Sequence, residues 1–238
     1  MTTPTTPAYF GVHNAGLVKS TGTATIVGNY DTTGTTRIDG GSLFINGLAE
    51  QNAGVFELLN GSTVTVGGPD VALRIYSGMI VGTGTVNANL TLGYDGACPP
   101  PWGGIISPGI DTGVQSSDPN SVTRGIGTLT IAGEFQIFSG TMVIDVDASG
   151  QFDKVVVQGK YAAVTGTLSM RNDVRYKPPQ LVSLPFFTFQ SLIGDFTNKT
   201  WNNYPWPNPA NDGPFSWFFS VGGTSYNFIS RKTMQQPH

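Results

Sequence analysis

The chain has 238 residues, with 12 Lys and Arg against 15 Asp and Glu, a formal net charge of −3. Charged residues are only 11% of the total, against roughly 25% in an ordinary globular domain, so there is no basic track for nucleic acid and no field to steer anions. The apolar fraction of 39% is ample for a core and excludes a disordered chain.

Residues 1–14 show no strand pattern and are expected to form an N-terminal arm. From there the segments 23–27 (TATIV), 42–45 (SLFI), 62–66 (STVTV), 84–92 (GTVNANLTL), 127–131 (GTLTI) and 166–170 (GTLSM) alternate apolar with small or polar residues. A period of two gives a strand one buried and one exposed face. Gly, Asn and Asp between these runs supply turns. No dozen residues keep a 3.6-residue period without Gly or Pro, so no long helix is expected.

The chain also repeats itself. Residues 22–39 and 127–145 share the form G-T-x-T-I-x-G-x-(Tyr/Phe) followed by G-T-x-x-I-D, with one insertion near Ser139. Recurrence of a strand–turn–strand unit is the signature of stacked coils burying one continuous core. A β-sandwich is the alternative all-β reading, although it does not require the same unit twice.

Six pieces in fixed order carry a family likeness: Gly28 to Leu43, Gly82 to Leu92, Ile106 to Gly109, Gly127 to Phe135, Phe152 to Gly159 and Thr165 to Met170. Together with Tyr176 to Phe196, they resemble autotransporter passenger domains and the wider group of autotransporter-associated β-strand repeats. The resemblance covers roughly residues 15–197. It implies a single right-handed parallel β-helix over that range and a role in adhesion or surface presentation, without catalytic residues in the helix. The chain departs from the family in lacking a signal-peptide pattern at its start and a C-terminal membrane barrel. It also carries insertions at Gly96 to Trp102 and Gly113 to Arg124, and residues 198–214 match nothing in the family. Residues 198–238 are expected to form a Pro- and aromatic-rich cap or interface segment.

Thirteen of the 26 aromatic residues lie between Phe186 and Phe228. Trp201, Tyr204, Trp206, Trp217, Phe218 and Phe219 are therefore candidates for a cap over the last coil, since an exposed sheet end invites aggregation. They are equally candidates for a contact between copies, where aromatics are enriched, or for a platform that binds surface glycans.

Chemistry-bearing residues are few. Asp145, Asp147 and Asp153 form a weak carboxylate cluster, which could bind Ca²⁺ or pair as acid and base as in polysaccharide-degrading β-helices. The pair leads into Ala148–Gln151, so solvated turn carboxylates are the expected outcome. His13 is the only histidine besides His238, too little for a triad or a zinc site. Cys98 is the single cysteine, expected to be an inert thiol or an intermolecular disulfide. Gly82–Asn87 lacks the Lys-Ser/Thr of a phosphate loop. Asn60, Asn89 and Asn198 stand in glycosylation sequons by pattern only. No run of 18 apolar residues suggests membrane insertion.

These features predict no enzyme, no cofactor and no metal. They predict a self-associating structural solenoid at an extracellular surface or in a virion, with a glycan-binding adhesin as the alternative.

Overall fold

The computed structural model describes residues 11–68, 71–94, 103–109, 125–173, 183–201, 204–205 and 215–232. Every element among them is a strand, and strands recur in threes. The first coil is β1 (Gly11–Asn14), β2 (Leu17–Ser20) and β3 (Thr23–Val27), and the second is β4 (Asn29–Thr32), β5 (Thr35–Asp39) and β6 (Ser42–Asn46). The third is β7 (Ala49–Gln51), β8 (Val55–Leu59) and β9 (Thr63–Gly67), and the fourth β10 (Ala72–Ile75), β11 (Met79–Gly82) and β12 (Thr85–Asn87). The fifth holds β13 (Asn89–Leu92), β14 (Ile105–Pro108) and β15 (Thr128–Ile131), and the sixth β16 (Phe135–Ile137), β17 (Thr141–Val146) and β18 (Lys154–Val157). The seventh is β19 (Ala162–Val164), β20 (Thr167–Asn172) and β21 (Ser183–Thr188). The eighth begins with β22 (Leu192–Gly194) and β23 (Asn198–Trp201), followed by β24 (Tyr204–Pro205), β25 (Phe215–Gly222) and β26 (Ser225–Lys232).

From β1 to β23, strands pair with the strand three before or three after them, and most with both. Sheet A runs β1-β4-β7-β10-β13-β16-β19-β22, sheet B runs from β2 through β5 to β23 and β24, and sheet C from β3 through β6 to β21, β26 and β25. Among the described strands, the ladders from β1 to β23 are parallel, and β24, β25 and β26 join antiparallel. The chain is thus a three-sheet parallel β-solenoid, and the sandwich reading is excluded. The internal repeat has a structural meaning: residues 22–39 contain β3, β4 and β5, and residues 127–145 contain β15, β16 and β17, the same three faces four coils later.

Stacking in register turns alternation into columns. Phe56, Ile80, Ile106, Met142 and Leu168 face inward from sheet B on successive coils, all fully buried. Tyr30, Ala49, Leu73, Leu90 and Phe135 do the same from sheet A. Polar corners are also stacked. Asn29 Oδ1 accepts from the Leu48 amide at 3.0 Å, and Asn89 Oδ1 from the Glu134 amide at 2.8 Å, each at the start of a sheet A strand.

The corner between sheets A and B carries glycine coil after coil. A Cβ on Gly34, Gly54, Gly78, Gly140 or Gly166 would lie 2.1–2.6 Å from the carbonyl oxygen of the corner glycine one coil earlier. The close approach of successive backbones explains much of the glycine content.

Two boundaries differ from expectation. β1 lies inside the stretch expected as an arm, since Gly11–Asn14 pair with Asn29–Thr32. The parallel stack also continues past residue 197, because Asn198–Trp201 pair with Thr167–Met170. Residues 95–102 and 110–124, including Cys98, fall within the fifth coil's connections and lie outside the described residues.

Candidate functional site

The carboxylates singled out in the sequence do not share a cleft. Asp145 was expected at a solvated strand end, and this is corrected by the structure: it is 1% exposed. The next coil places Arg171 directly opposite it, and the guanidinium donates to both carboxylate oxygens, Nε to Oδ1 at 2.6 Å and Nη2 to Oδ2 at 2.7 Å. Asp153, also buried, accepts from the Gly127 amide at 2.8 Å and the Asp145 amide at 3.0 Å. It therefore fastens the start of β15 to β17. Asp147 alone behaves as a turn residue, accepting from the Ser149 and Gln151 amides at 2.8 and 2.9 Å. Asp145 and Asp147, two residues apart, thus serve different structural tasks. Among the described residues, no group of three or more His, Cys, Asp or Glu is arranged to hold a metal ion. His13 is exposed on β1 and pairs with Asp31 on the coil above. Among the described residues, no helix is long and apolar enough to cross a membrane.

What remains is the geometry of the two ends, which differ. At the C-terminal end, β26 lies antiparallel on β21 and β25 on β26, so sheet C stops being parallel there. Beneath the hairpin sits an aromatic plug of Phe186, Phe187, Phe189, Phe196, Tyr226 and Phe228, all buried. Its rings pack edge-on, with Phe187–Phe189 centroids 5.1 Å apart and Phe196–Tyr226 centroids 5.5 Å apart. The plug's polar edge is Tyr226 Oη, which donates to Asp195 Oδ1 at 2.6 Å while Lys199 Nζ donates to Oδ2 at 2.7 Å. Burial and then the neighbouring Asp195 carboxylate push the Tyr226 phenol far up, so it stays a donor. Burial raises the Asp195 carboxyl, but the bonds from Lys199, Tyr226 and the Phe196 amide outweigh it and leave it below the ordinary range.

A depressed carboxyl contributes stability above the unfolded carboxylate range, and that contribution is lost as pH falls through the folded value. Tyr226→Phe is expected to cost about 1 kcal/mol in urea unfolding at neutral pH. The gap from the parent should narrow in acid as Asp195 protonates.

Of the residues named from the sequence as cap or interface, five are placed on strands. Trp201 ends β23, Tyr204 begins β24, and Trp217, Phe218 and Phe219 sit on β25, the outermost strand of sheet C. Trp206 lies outside the described residues. The plug itself is built mainly from the phenylalanines of β21 and the loop after it. Their "LPFFTF" run at 184–189 was the available signal.

At the N-terminal end, β1, β2 and β3 are each the edge of their sheet among the described residues. They carry one Lys, Arg, Asp or Glu residue, Lys19. Val12, Leu17 and Val27 are 42%, 62% and 79% exposed. Ala24 and Ile26 pair with inward Leu43 and Ile45 yet are only partly buried, because no coil in the described structure lies over them. The interior just beneath is polar. Asn14 Nδ2 donates to Tyr30 Oη, Thr32 Oγ1 and the Thr35 carbonyl at 3.2, 3.1 and 2.9 Å, and Tyr30 Oη pairs with Thr36 Oγ1. The column Asn14–Thr32–Gln51 is buried and turns apolar only at Ile75.

No known family model matches this chain, and no curated protein matches it either. The ends therefore have to be read by their own chemistry. Among the described residues, the first coil presents three strand edges with no further strand on them, with apolar side chains alongside. The last coil ends in antiparallel strands over a sealed aromatic core.

Proposed function

We propose that this chain is a structural β-solenoid whose copies associate through the first coil, as a building block of a surface layer, fibre or virion shell. The observation that carries this reading is the N-terminal coil, which among the described residues ends in three strand edges flanked by exposed Val12, Leu17 and Val27. Unpaired edges with apolar side chains are templates for pairing with another chain, and proteins that stay apart usually blunt them with charge. Lys19 provides little blunting here, and the low overall charge leaves little repulsion between copies. The antiparallel strands at the other end argue against an endless coil-on-coil fibre and favour closed contacts between first coils.

The full chain is expected to form dimers or larger species as its concentration rises, measured by light scattering and analytical ultracentrifugation. The double variant Leu17→Lys, Val27→Lys should keep its β-sheet circular dichroism and remain monomeric. A parent chain that stays monomeric at high concentration, or a double variant that assembles as the parent does, would overturn the reading.

A further inference from the structure

Outward residues on sheet A form their own column, and on coils four to six that column has a notch. Arg74, Thr91 and Gln136 are register partners on β10, β13 and β16. The residues that end the same strands, Ile75, Leu92 and Ile137, are likewise in register, so Tyr76, Gly93 and Phe138 occupy one corner position on three successive coils. Large side chains stand on the outer two coils, with Thr91 and Gly93 between them. Gly93 cannot be larger: its φ is +77°, and a Cβ there would lie 2.3 Å from Ser139 Oγ and 2.9 Å from the Ser139 amide. The result is a surface notch of about 390 Å³, within the ~300–1,000 Å³ range of small-molecule sites.

Its dimensions follow from the stacking. Coils are about 4.8 Å apart, so the backbones at Tyr76 and Phe138, two coils apart, are separated by roughly 10 Å. Tyr94 closes one side, its ring centroid 5.9 Å from that of Tyr76.

The polar groups are held by neighbours. Glu50 Oε1 accepts from Arg74 Nη1 at 3.4 Å and from Tyr76 Oη at 3.3 Å. Gln136 Nε2 donates to Tyr161 Oη at 2.9 Å. The notch is thus lined by a guanidinium, an amide and a threonine together with the aromatic residues Tyr76, Tyr94 and Phe138.

We infer that this notch binds one pyranose ring of a glycan. A pyranose is apolar on its two C–H faces, which suit the aromatic residues of the notch, and hydroxylated around its rim, which suits the donors of Arg74 and the amide donor and carbonyl acceptor of Gln136. A nucleobase would also stack in the slot. However, Glu50 offsets Arg74, and among the described residues no other Lys or Arg lines the notch to meet a phosphate. The site is separate from the first coil and from the aromatic C-terminal segment, so it holds whether or not copies assemble.

The test uses the full chain on a glycan array, followed by saturation-transfer NMR with the best-bound saccharide. The parent should bind pyranose-terminated glycans. Thr91→Phe, which fills the notch from an outward strand position, should weaken binding roughly tenfold or more with circular dichroism unchanged. Should that variant not fold, Gln136→Leu removes the amide at a surface position and is expected to weaken binding as well. The inference is overturned if the parent binds no glycan, or if the folded variants bind as the parent does. It is equally overturned if Trp201→Ala abolishes binding while Thr91→Phe leaves it intact, or if Thr91→Phe removes binding of a single-stranded oligonucleotide instead of a saccharide.

Discussion

Gly166→Ala is expected to destabilise the chain by about 3 kcal/mol or more, the upper end of overpacking costs. Gly166 is buried at the corner between sheets A and B, and its added Cβ would lie 2.2 Å from the Gly140 carbonyl oxygen and 2.5 Å from Ile137 Cγ2. Neither atom is free to move. The same carbonyl accepts the Thr167 amide at 2.9 Å, so shifting it weakens the ladder, and Ile137 is part of the core. Because φ at Gly166 is not in the left-handed region, the effect isolates close approach from backbone strain. Gly22→Ala is the matched control: a Cβ there meets nothing within 4 Å, and its φ is not positive. That variant should be neutral or gain a few tenths of a kcal/mol through the unfolded state. Urea midpoints of both variants check the pair. Equal midpoints would show that the glycine column is not what sets coil spacing.

Arg171→Met is expected to cost about 3 kcal/mol, because it removes the guanidinium that meets both oxygens of a carboxylate with 1% exposure. The size comes less from attraction between the charges than from leaving a buried charge with fewer donors. Adding Asp145→Asn to Arg171→Met should therefore recover part of the loss. A cycle in which the two losses simply add would show that they act independently. Thermal or urea unfolding of the four species measures the coupling directly.

The origin of each effect marks what could be read in advance. Alternation along 63–66 or 128–131 is a local property, and the inward columns of Val64 and Ile131 follow from it. The 22–39 and 127–145 repeat was legible for the same reason: both copies place an aromatic, Tyr30 and Phe135, at the first inward site of a sheet A strand. Asp145 was not legible. Its local sequence is that of a strand running into a turn, and its partner is 26 residues away on the next coil. Which residue faces which across coils depends on the lengths of all intervening corners, and those lengths vary here. The notch on sheet A depends on the same alignment, since Thr91 and Gly93 are unremarkable until Tyr76 and Phe138 stand on either side of them.

The sequence by itself determined an all-β chain, strands of period two, glycine and asparagine corners, and a stacked-coil architecture, because these depend on neighbours one to a few residues apart. Only the tertiary structure decided that β1 belongs to the first coil, that Asp145 is buried against Arg171, and that the solenoid stops with antiparallel strands over an aromatic plug. It also decided that the opposite end leaves three strand edges without a further strand among the described residues. Those features arise between coils, where register is set by the summed geometry of the corners.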